Sequence, residues 1–351
     1  MRIRPVVVSN AVVSSMLACS GMPDNPEVER QSSLKSTVNT SELTFPVSIR
    51  GSGTATLAGH VYSNPAIHSG VTLLGVPGVS ESGTVFGPLA GAIFSDGALK
   101  LVVKNIVGLD LPGRGDSSFP TNLPAGVHYG DLTVEDDASI AVQAVDALKK
   151  RGLPARIVLG HSLGGLDLLV AQQTLLSQGS SFAAHGIFGG ILLSPVPPQP
   201  FAWTPPPGDL SPFIVNDPSL GLYLLLPPPV WIAVAFTTTS NQIAPDAPSA
   251  DQVATARYVG PEPLGDLAEI GSAQRPSVNA GIFAPSHGTI LGVVGFSEDT
   301  VVQASFMKPL YEYVTHDTRD TLYRQVTAAD AVHAMLVSNP TGLLDALRPM
   351  L

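Results

Sequence analysis

The sequence Arg156-Ile-Val-Leu-Gly-His-Ser-Leu-Gly-Gly165 decides the fold of this chain. Residues 157–159 predict a short buried strand, and the apolar residues that follow at helical spacing predict a helix. Between them Ser162 stands on a turn flanked by Gly160 and Gly164. Glycine suits a strained turn where the backbone passes too close for a Cβ atom. A serine placed between strand and helix in this way is typical of a nucleophile on a sharp turn.

A helix that begins after Ser162 directs its free N–H groups and its positive dipole end toward the serine oxygen. The amide of Leu163 is therefore a predicted donor to an oxyanion. A second donor is expected from the loop after the third predicted strand, where residues 75–78 read Gly-Val-Pro-Gly. The N–H of Val76 is the candidate, because the glycines allow close backbone approach.

Strands and helices alternate along most of the chain. This order predicts an α/β fold with a mostly parallel central sheet and helices on both faces. The first two strands are expected to form an antiparallel pair. The predicted strands are 43–50, 54–62, 71–74, 101–109, 157–159, 190–193, 289–294 and 322–326, and the predicted helices are 84–94, 134–151, one after Ser162, about 300–313 and 342–351.

Serine is a weak nucleophile until a base takes its proton, and that base needs an acid to hold its tautomer. Such groups lie on loops beyond the carboxyl ends of strands. Asp299 follows the strand at 289–294 and is the predicted acid, with Glu298 as the alternative. His333 follows the last strand and is the predicted base, because the order Ser162, Asp299, His333 is the one this fold uses.

The segment 195–286 interrupts the alternation with prolines and large apolar side chains. We interpret it as a cap over the catalytic face that lines an apolar substrate pocket. The alternative is a poorly ordered insertion. The aromatic residues expected to line the pocket are Trp203, Phe213, Trp231 and Phe236.

Composition excludes several classes of function. The net charge is -10, and no basic patch is present to bind nucleic acid. One cysteine excludes an internal disulfide and leaves too few ligands for the common cysteine and histidine metal sites, so neither a metal nor a cofactor is expected. Hydrophobic residues make up 44% of the 351 residues, enough for a sizeable core.

The N-terminus has the pattern of an export signal. Residues 6–17 are mostly apolar but too short to span a bilayer, and residues 16–19, Met-Leu-Ala-Cys, resemble a bacterial lipobox. Residues 1–18 are therefore a predicted signal peptide and Cys19 a predicted lipidation site. Lipidation predicts an exported protein anchored at the bacterial outer membrane. An ordinary signal with an incidental cysteine predicts a periplasmic or secreted protein.

The chain accordingly divides into five segments. These are the signal peptide (1–18), a lipidated polar tether (19–42), the first part of the core (43–194), the cap (195–286) and the second part of the core (287–351).

Over residues 43–351 the chain resembles α/β-hydrolase-fold enzymes of the esterase and lipase-like serine type. The departure is Leu74, where the family often has histidine. The segments that carry the resemblance are 75–78, Asp-Leu-Pro-Gly-Arg-Gly-Asp-Ser at 110–117, 160–165, 295–299 and His333.

The resemblance implies hydrolysis of a carboxylic ester through an acyl-enzyme, and the apolar cap favours an acyl or aromatic small-molecule substrate. Acyl transfer and cofactor-free perhydrolysis use the same residues and stay open. A surface binding protein that only inherited the fold is the alternative outside enzymes.

Overall fold

Eight strands form one mixed sheet. In this computed structural model, which describes residues 38–206, 208–272 and 275–351, the strands are β1 (Asn39–Ile49), β2 (Gly53–Ser63), β3 (Val71–Val76), β4 (Val103–Leu109), β5 (Ala155–His161), β6 (Gly189–Leu193), β10 (Ile290–Phe296) and β11 (Tyr323–Val326). Their order in the sheet is β1-β2-β4-β3-β5-β6-β10-β11. Only the β1–β2 and β2–β4 pairs are antiparallel, so the prediction of a mostly parallel sheet is confirmed.

Helices cover both faces of the sheet. Neighbouring residues of β5 show why: Val158 belongs to one core cluster and Leu159 to the other, as the two-residue period of a strand requires. On the Val158 face lie α2 (Val134–Lys150), α3 (Leu163–Ser177) and α7 (Met307–Thr315). On the Leu159 face lie α1 (Phe86–Ser95), α8 (Met335–Ser338) and α9 (Leu344–Leu347).

The segment predicted as a cap has secondary structure of its own between β6 and β10. It contains an antiparallel sheet of three short strands. Its elements are β7 (Ile214–Asp217), β8 (Gly221–Leu224), α4 (Pro228–Ala235), α5 (Ala250–Ala256), β9 (Glu262–Pro263) and α6 (Leu264–Ile270).

The first strand begins earlier than its sequence suggests. Residues 39–42, assigned above to the tether, are part of β1, where they pair with residues 60–63 of β2. An antiparallel ladder satisfies backbone groups whatever the side chains are, so polar residues extend the strand at this exposed edge. The predicted signal peptide and Cys19 lie outside the described residues.

Two predicted helices are shorter in the structure. The helix expected at about 300–313 begins only at Met307, after a loop in which Asp299 accepts the amides of Val301 and Val302 and a short turn at Ala304–Phe306. The terminal segment 342–351 forms only short helical turns, since Pro349 cannot donate to a continuous ladder. No described helix is long and apolar enough to cross a membrane.

Candidate active site

Ser162 is held in a strained backbone conformation between β5 and α3. Its φ is 52° and its ψ is -119°, a region that residues with a side chain rarely adopt. The neighbouring glycines make the turn feasible. A Cβ on Gly164 would lie 2.2 Å from the carbonyl oxygen of Val76, and one on Gly160 would lie 2.7 Å from that of Gly164.

His333 and Asp299 form a buried pair. Nδ1 of His333 lies 2.8 Å from Oδ2 of Asp299, which also accepts the hydroxyl of Ser194. Oδ1 of Asp299 accepts the amides of Val301 and Val302, both at 2.8 Å. With both oxygens occupied as acceptors, the carboxylate holds the proton on Nδ1 and leaves Nε2 of His333 free to act as a base.

Glu298, the alternative acid, makes different contacts. Its Oε2 accepts the hydroxyl and the amide of Thr239, a residue of the cap. Of the two carboxylates that the sequence left open, Asp299 is therefore the one that hydrogen bonds to His333.

His161, the residue before Ser162, holds His333 near the serine. The rings of His161 and His333 are 4.9 Å apart, and Nε2 of His161 lies 2.9 Å from the backbone oxygen of His333. Within the described ranges the Ser162 hydroxyl has no hydrogen-bond partner. Catalytic hydrogen bonds often tighten only when substrate is bound.

The loop that carries Val76 passes beside the serine. Val76 is the last residue of β3 and lies opposite Gly160 of β5. A Cβ on Gly78 would lie 2.8 Å from Cβ of Ser162 and 3.3 Å from its Oγ. Leu163 is the first residue of α3, so its amide is among those that a helix leaves unpaired. The fold thus brings the backbone of Val76 and of Leu163 to the turn that carries Ser162.

Residues 75–82, here called the oxyanion loop, are fixed by buried charged side chains. The amide of Gly78 donates to Glu81 at 2.8 Å, and its carbonyl accepts Nη1 of Arg114 at 3.1 Å. The amide of Ser80 donates to Glu262 of the cap at 2.5 Å. Sequence reasoning missed these residues. One signal was available, since Glu81 is the only ionisable residue between His68 and Asp96.

The aromatic residues predicted to line one pocket divide between the two faces. Trp203 packs in the cluster of the Val158 face, and its indole donates to Val301. Trp231 and Phe236 pack edge to face at 5.3 Å in the cluster of the Leu159 face, and Phe213 lies against that same cluster.

Part of the segment interpreted as a cap lies against the site. The amide of Ala334 donates to the carbonyl of Ala235 at the end of α4. Only 4% of Ser162 and 6% of His333 is exposed. The serine and the histidine are therefore almost fully covered.

One group of possible metal ligands lies elsewhere in the described part of the chain. Ligand atoms of Glu42, His60 and Asp116 lie within 4.8 Å of one another. His60 already bonds to the buried Asp110 at 2.9 Å, and Asp116 pairs with Arg257 at 2.5 Å. These partners compete with an ion, and the group has no contact with Ser162.

Residues 73–346 match the model of the Alpha/beta hydrolase family. The chain belongs to this family. Its eight-stranded sheet and the serine turn after β5 are therefore those of a hydrolase. No curated protein sequence matches this hydrolase significantly.

Solved structures show the same fold at low identity. A membrane phospholipase A, described as a bacterial virulence factor, is 16% identical with a TM-score of 0.52, covering 89% of this chain and 86% of its own. The N-acyl homoserine lactonase AidH with N-butanoyl homoserine is 16% identical with a TM-score of 0.51, covering 88% and 94%. The peroxisomal hydrolase Lpx1 of Saccharomyces cerevisiae is 13% identical with a TM-score of 0.50, covering 90% and 88%.

Proposed function

We propose that this hydrolase cleaves the carboxylic ester of an apolar acyl or aromatic compound through an acyl-enzyme on Ser162. The observation that carries the proposal is the strained serine turn beside a buried His333–Asp299 pair. A serine, a base and an acid in this relation are the parts that nucleophilic acyl transfer requires.

The reaction has two steps, formation of the acyl-enzyme and its hydrolysis. Oγ of Ser162 attacks the ester carbon while Nε2 of His333 takes its proton, and the amides of Val76 and Leu163 stabilise the oxyanion. His333 then protonates the leaving alcohol. Water attacks the acyl-enzyme, gives one proton to His333 and releases the acid, after which the proton returns to Ser162. Asp299 stabilises the imidazolium in both steps.

The substrate class is supported by the cap and by the fold relatives. The cap segment 195–286 is rich in prolines and large apolar side chains, a composition that suits an apolar group better than a charged one. The lactonase and the phospholipase A named above share the fold. Lactones and phospholipids are themselves esters, so their names agree with ester cleavage here.

Acyl transfer is a second candidate because Ser162 and His333 are almost fully covered. A covered acyl-enzyme excludes water and gives an alcohol, an amine or hydrogen peroxide an advantage as the acceptor.

The first experiment measures hydrolysis of p-nitrophenyl esters from acetate to palmitate. The full chain is compared with Ser162→Ala and with the control Ser177→Ala, an exposed serine near the end of α3. We expect the control to match the parent and Ser162→Ala to lose about 10⁴-fold or more in kcat. Absence of both ester hydrolysis and fluorophosphonate labelling in the parent would favour a binding protein. Labelling without hydrolysis would favour acyl transfer.

We also propose that Cys19 is lipidated and anchors the enzyme at the bacterial outer membrane. The support is the residue pattern at 16–19 after an apolar segment. A single acyl chain gives only reversible binding, whereas several chains give lasting attachment. Metabolic labelling with a palmitate analogue, in the parent and in Cys19→Ser, tests this. An unlabelled parent recovered from the periplasm or medium would refute it.

A further inference from the structure

Glu81 and His161 form a second buried histidine–carboxylate pair at the active site. Nδ1 of His161 lies 2.8 Å from Oε2 of Glu81. The side chain of His161 is fully buried, and that of Glu81 is 4% exposed. The mechanism proposed above uses neither residue, so the burial of two ionisable groups beside the nucleophile needs another explanation.

The hydrogen bonds place one ring proton of His161. A carbonyl oxygen only accepts, so Nε2 of His161 donates its proton to the oxygen of His333. Oε2 of Glu81 accepts the amide of Gly78 and also faces Nδ1 of His161. When Glu81 is ionised, it accepts a hydrogen bond from Nδ1–H as well, and His161 then carries both ring protons and is a cation.

The electrostatic surroundings agree with an ion pair. Burial opposes ionisation of Glu81, but His161 and the Gly78 amide outweigh it and hold the pKa of Glu81 below its usual value. Burial likewise opposes the charged form of His161, but Glu81 outweighs it and raises the pKa of His161. Asp299 is the other charged group that acts on His161, and in the same direction.

The pair connects the separate pieces of the site. Glu81 binds Gly78, whose Cα lies against Ser162, and thereby fixes the oxyanion loop. His161 precedes Ser162 in the chain and binds the backbone of His333. We propose that Glu81 and His161 are positioning residues that hold the oxyanion loop and His333 in register around Ser162. This inference rests on the proposed serine mechanism and goes beyond it.

The experiment uses three variants of the full chain: Glu81→Gln, His161→Gln and the double variant. The control is His60→Gln, which removes a histidine from another buried carboxylate pair, with Asp110. A shift of about 1 Å in a reacting group can cost about 10²-fold in rate. We expect kcat on p-nitrophenyl esters, per site titrated with fluorophosphonate, to fall about 10- to 100-fold in both single variants with little change in KM. The control keeps the parent kcat.

A pH profile separates positioning from a general loss of stability. In His161→Gln the buried Glu81 loses the cation that kept it ionised, so its pKa rises and its ionisation near His333 adds a step to the pH profile of kcat/KM. The double variant has no ionisable group at either position, so the added step is absent while kcat stays low. A purely structural role would lower the melting temperature without adding or removing this step.

The outcomes for the two proposals differ. An active parent whose variants keep kcat per titrated site, or lose no more than His60→Gln, would overturn the positioning role and leave the serine mechanism intact. A pH profile of His161→Gln without the added step would overturn it as well. A parent that neither hydrolyses esters nor reacts with fluorophosphonate would overturn the proposed function, and this inference with it.

Discussion

Arg114 Nη2 lies 2.9 Å from Glu262 Oε1, and this contact joins the loop after β4 to the cap. The same nitrogen lies 3.1 Å from Asp137 of α2, and Nη1 holds the carbonyl of Gly78. Arg114 and its carboxylate partners are almost entirely buried. One cation thus connects the core, the cap and the oxyanion loop.

Replacing Arg114 with methionine should strongly destabilise the protein. Glu262 and Asp137 would stay buried without a cation, and removal of one partner of a buried pair costs about 3–5 kcal/mol. Denaturant unfolding measures the loss. The matched control is Arg257→Gln, which breaks the exposed pair with Asp116 and should cost no more than about 1 kcal/mol. Equal losses in the two variants would contradict the central role of Arg114.

The buried acids should make the protein less stable as the pH rises. Burial raises the pKa of Asp137 to about 7 despite the opposing effect of Arg114, and burial, with Asp137 nearby, raises that of Asp167 well above its usual value. Between the unfolded pKa of about 4 and these folded values, the native state binds more protons than the unfolded state. The free energy of unfolding therefore falls from about pH 4 to 7 through Asp137, and Asp167 adds to the fall in the same direction.

Asp167→Asn tests this pH dependence. Neither carboxylate oxygen of Asp167 has a hydrogen-bond partner in the part of the chain that the structure describes. The neutral amide removes the cost of ionising a buried acid, so the variant should gain about 1–3 kcal/mol over the parent at pH 8 and less at pH 5. Asp251→Asn, at an exposed site on α5, should leave the slope unchanged. A parallel shift of the Asp167→Asn curve at both pH values would contradict the explanation.

Replacing each candidate acid with its amide residue distinguishes Asp299 from Glu298. Asp299→Asn removes the acceptor that fixes the His333 tautomer and should lower kcat about 10⁴-fold. Glu298→Gln loses only a charge toward Thr239 and should retain kcat within a few fold. Steady-state hydrolysis of a p-nitrophenyl ester measures both. A larger loss of kcat in Glu298→Gln than in Asp299→Asn would identify Glu298 as the acid.

A methyl group at Gly78 should impair catalysis. Its Cβ would lie 2.8 Å from Cβ of Ser162 and 3.0 Å from Oε2 of Glu81, so the oxyanion loop must move away from the serine. We expect kcat in Gly78→Ala to fall about 10²-fold or more. Gly91→Ala is the control, because no atom lies within 4 Å of its added Cβ, and in α1 it should stabilise by about 0.5–1 kcal/mol. Unchanged kcat in Gly78→Ala would mean that the oxyanion loop does not lie against Ser162 during the reaction.

The sequence predicted the fold well where local pattern and burial coincide. Most of β5 and the first ten residues of α3 are buried, so both appear in the sequence as mostly apolar runs on either side of the serine turn. It predicted the ends of elements less well. The helix expected at about 300–313 starts only at Met307, after a loop in which Asp299 accepts the amides of Val301 and Val302.

The candidate site shows the same division. Ser162, Asp299 and His333 were found because residue type, order and position after strands are properties of the chain itself. The sequence alone determined the α/β fold and these candidates, since strand and helix periods are local. Only the tertiary structure decided that Asp299 rather than Glu298 meets His333, that Glu81 joins His161, and that Trp203 and Trp231 lie in different clusters. Those contacts join segments far apart in the chain, and their distances depend on how the whole sheet and cap pack together.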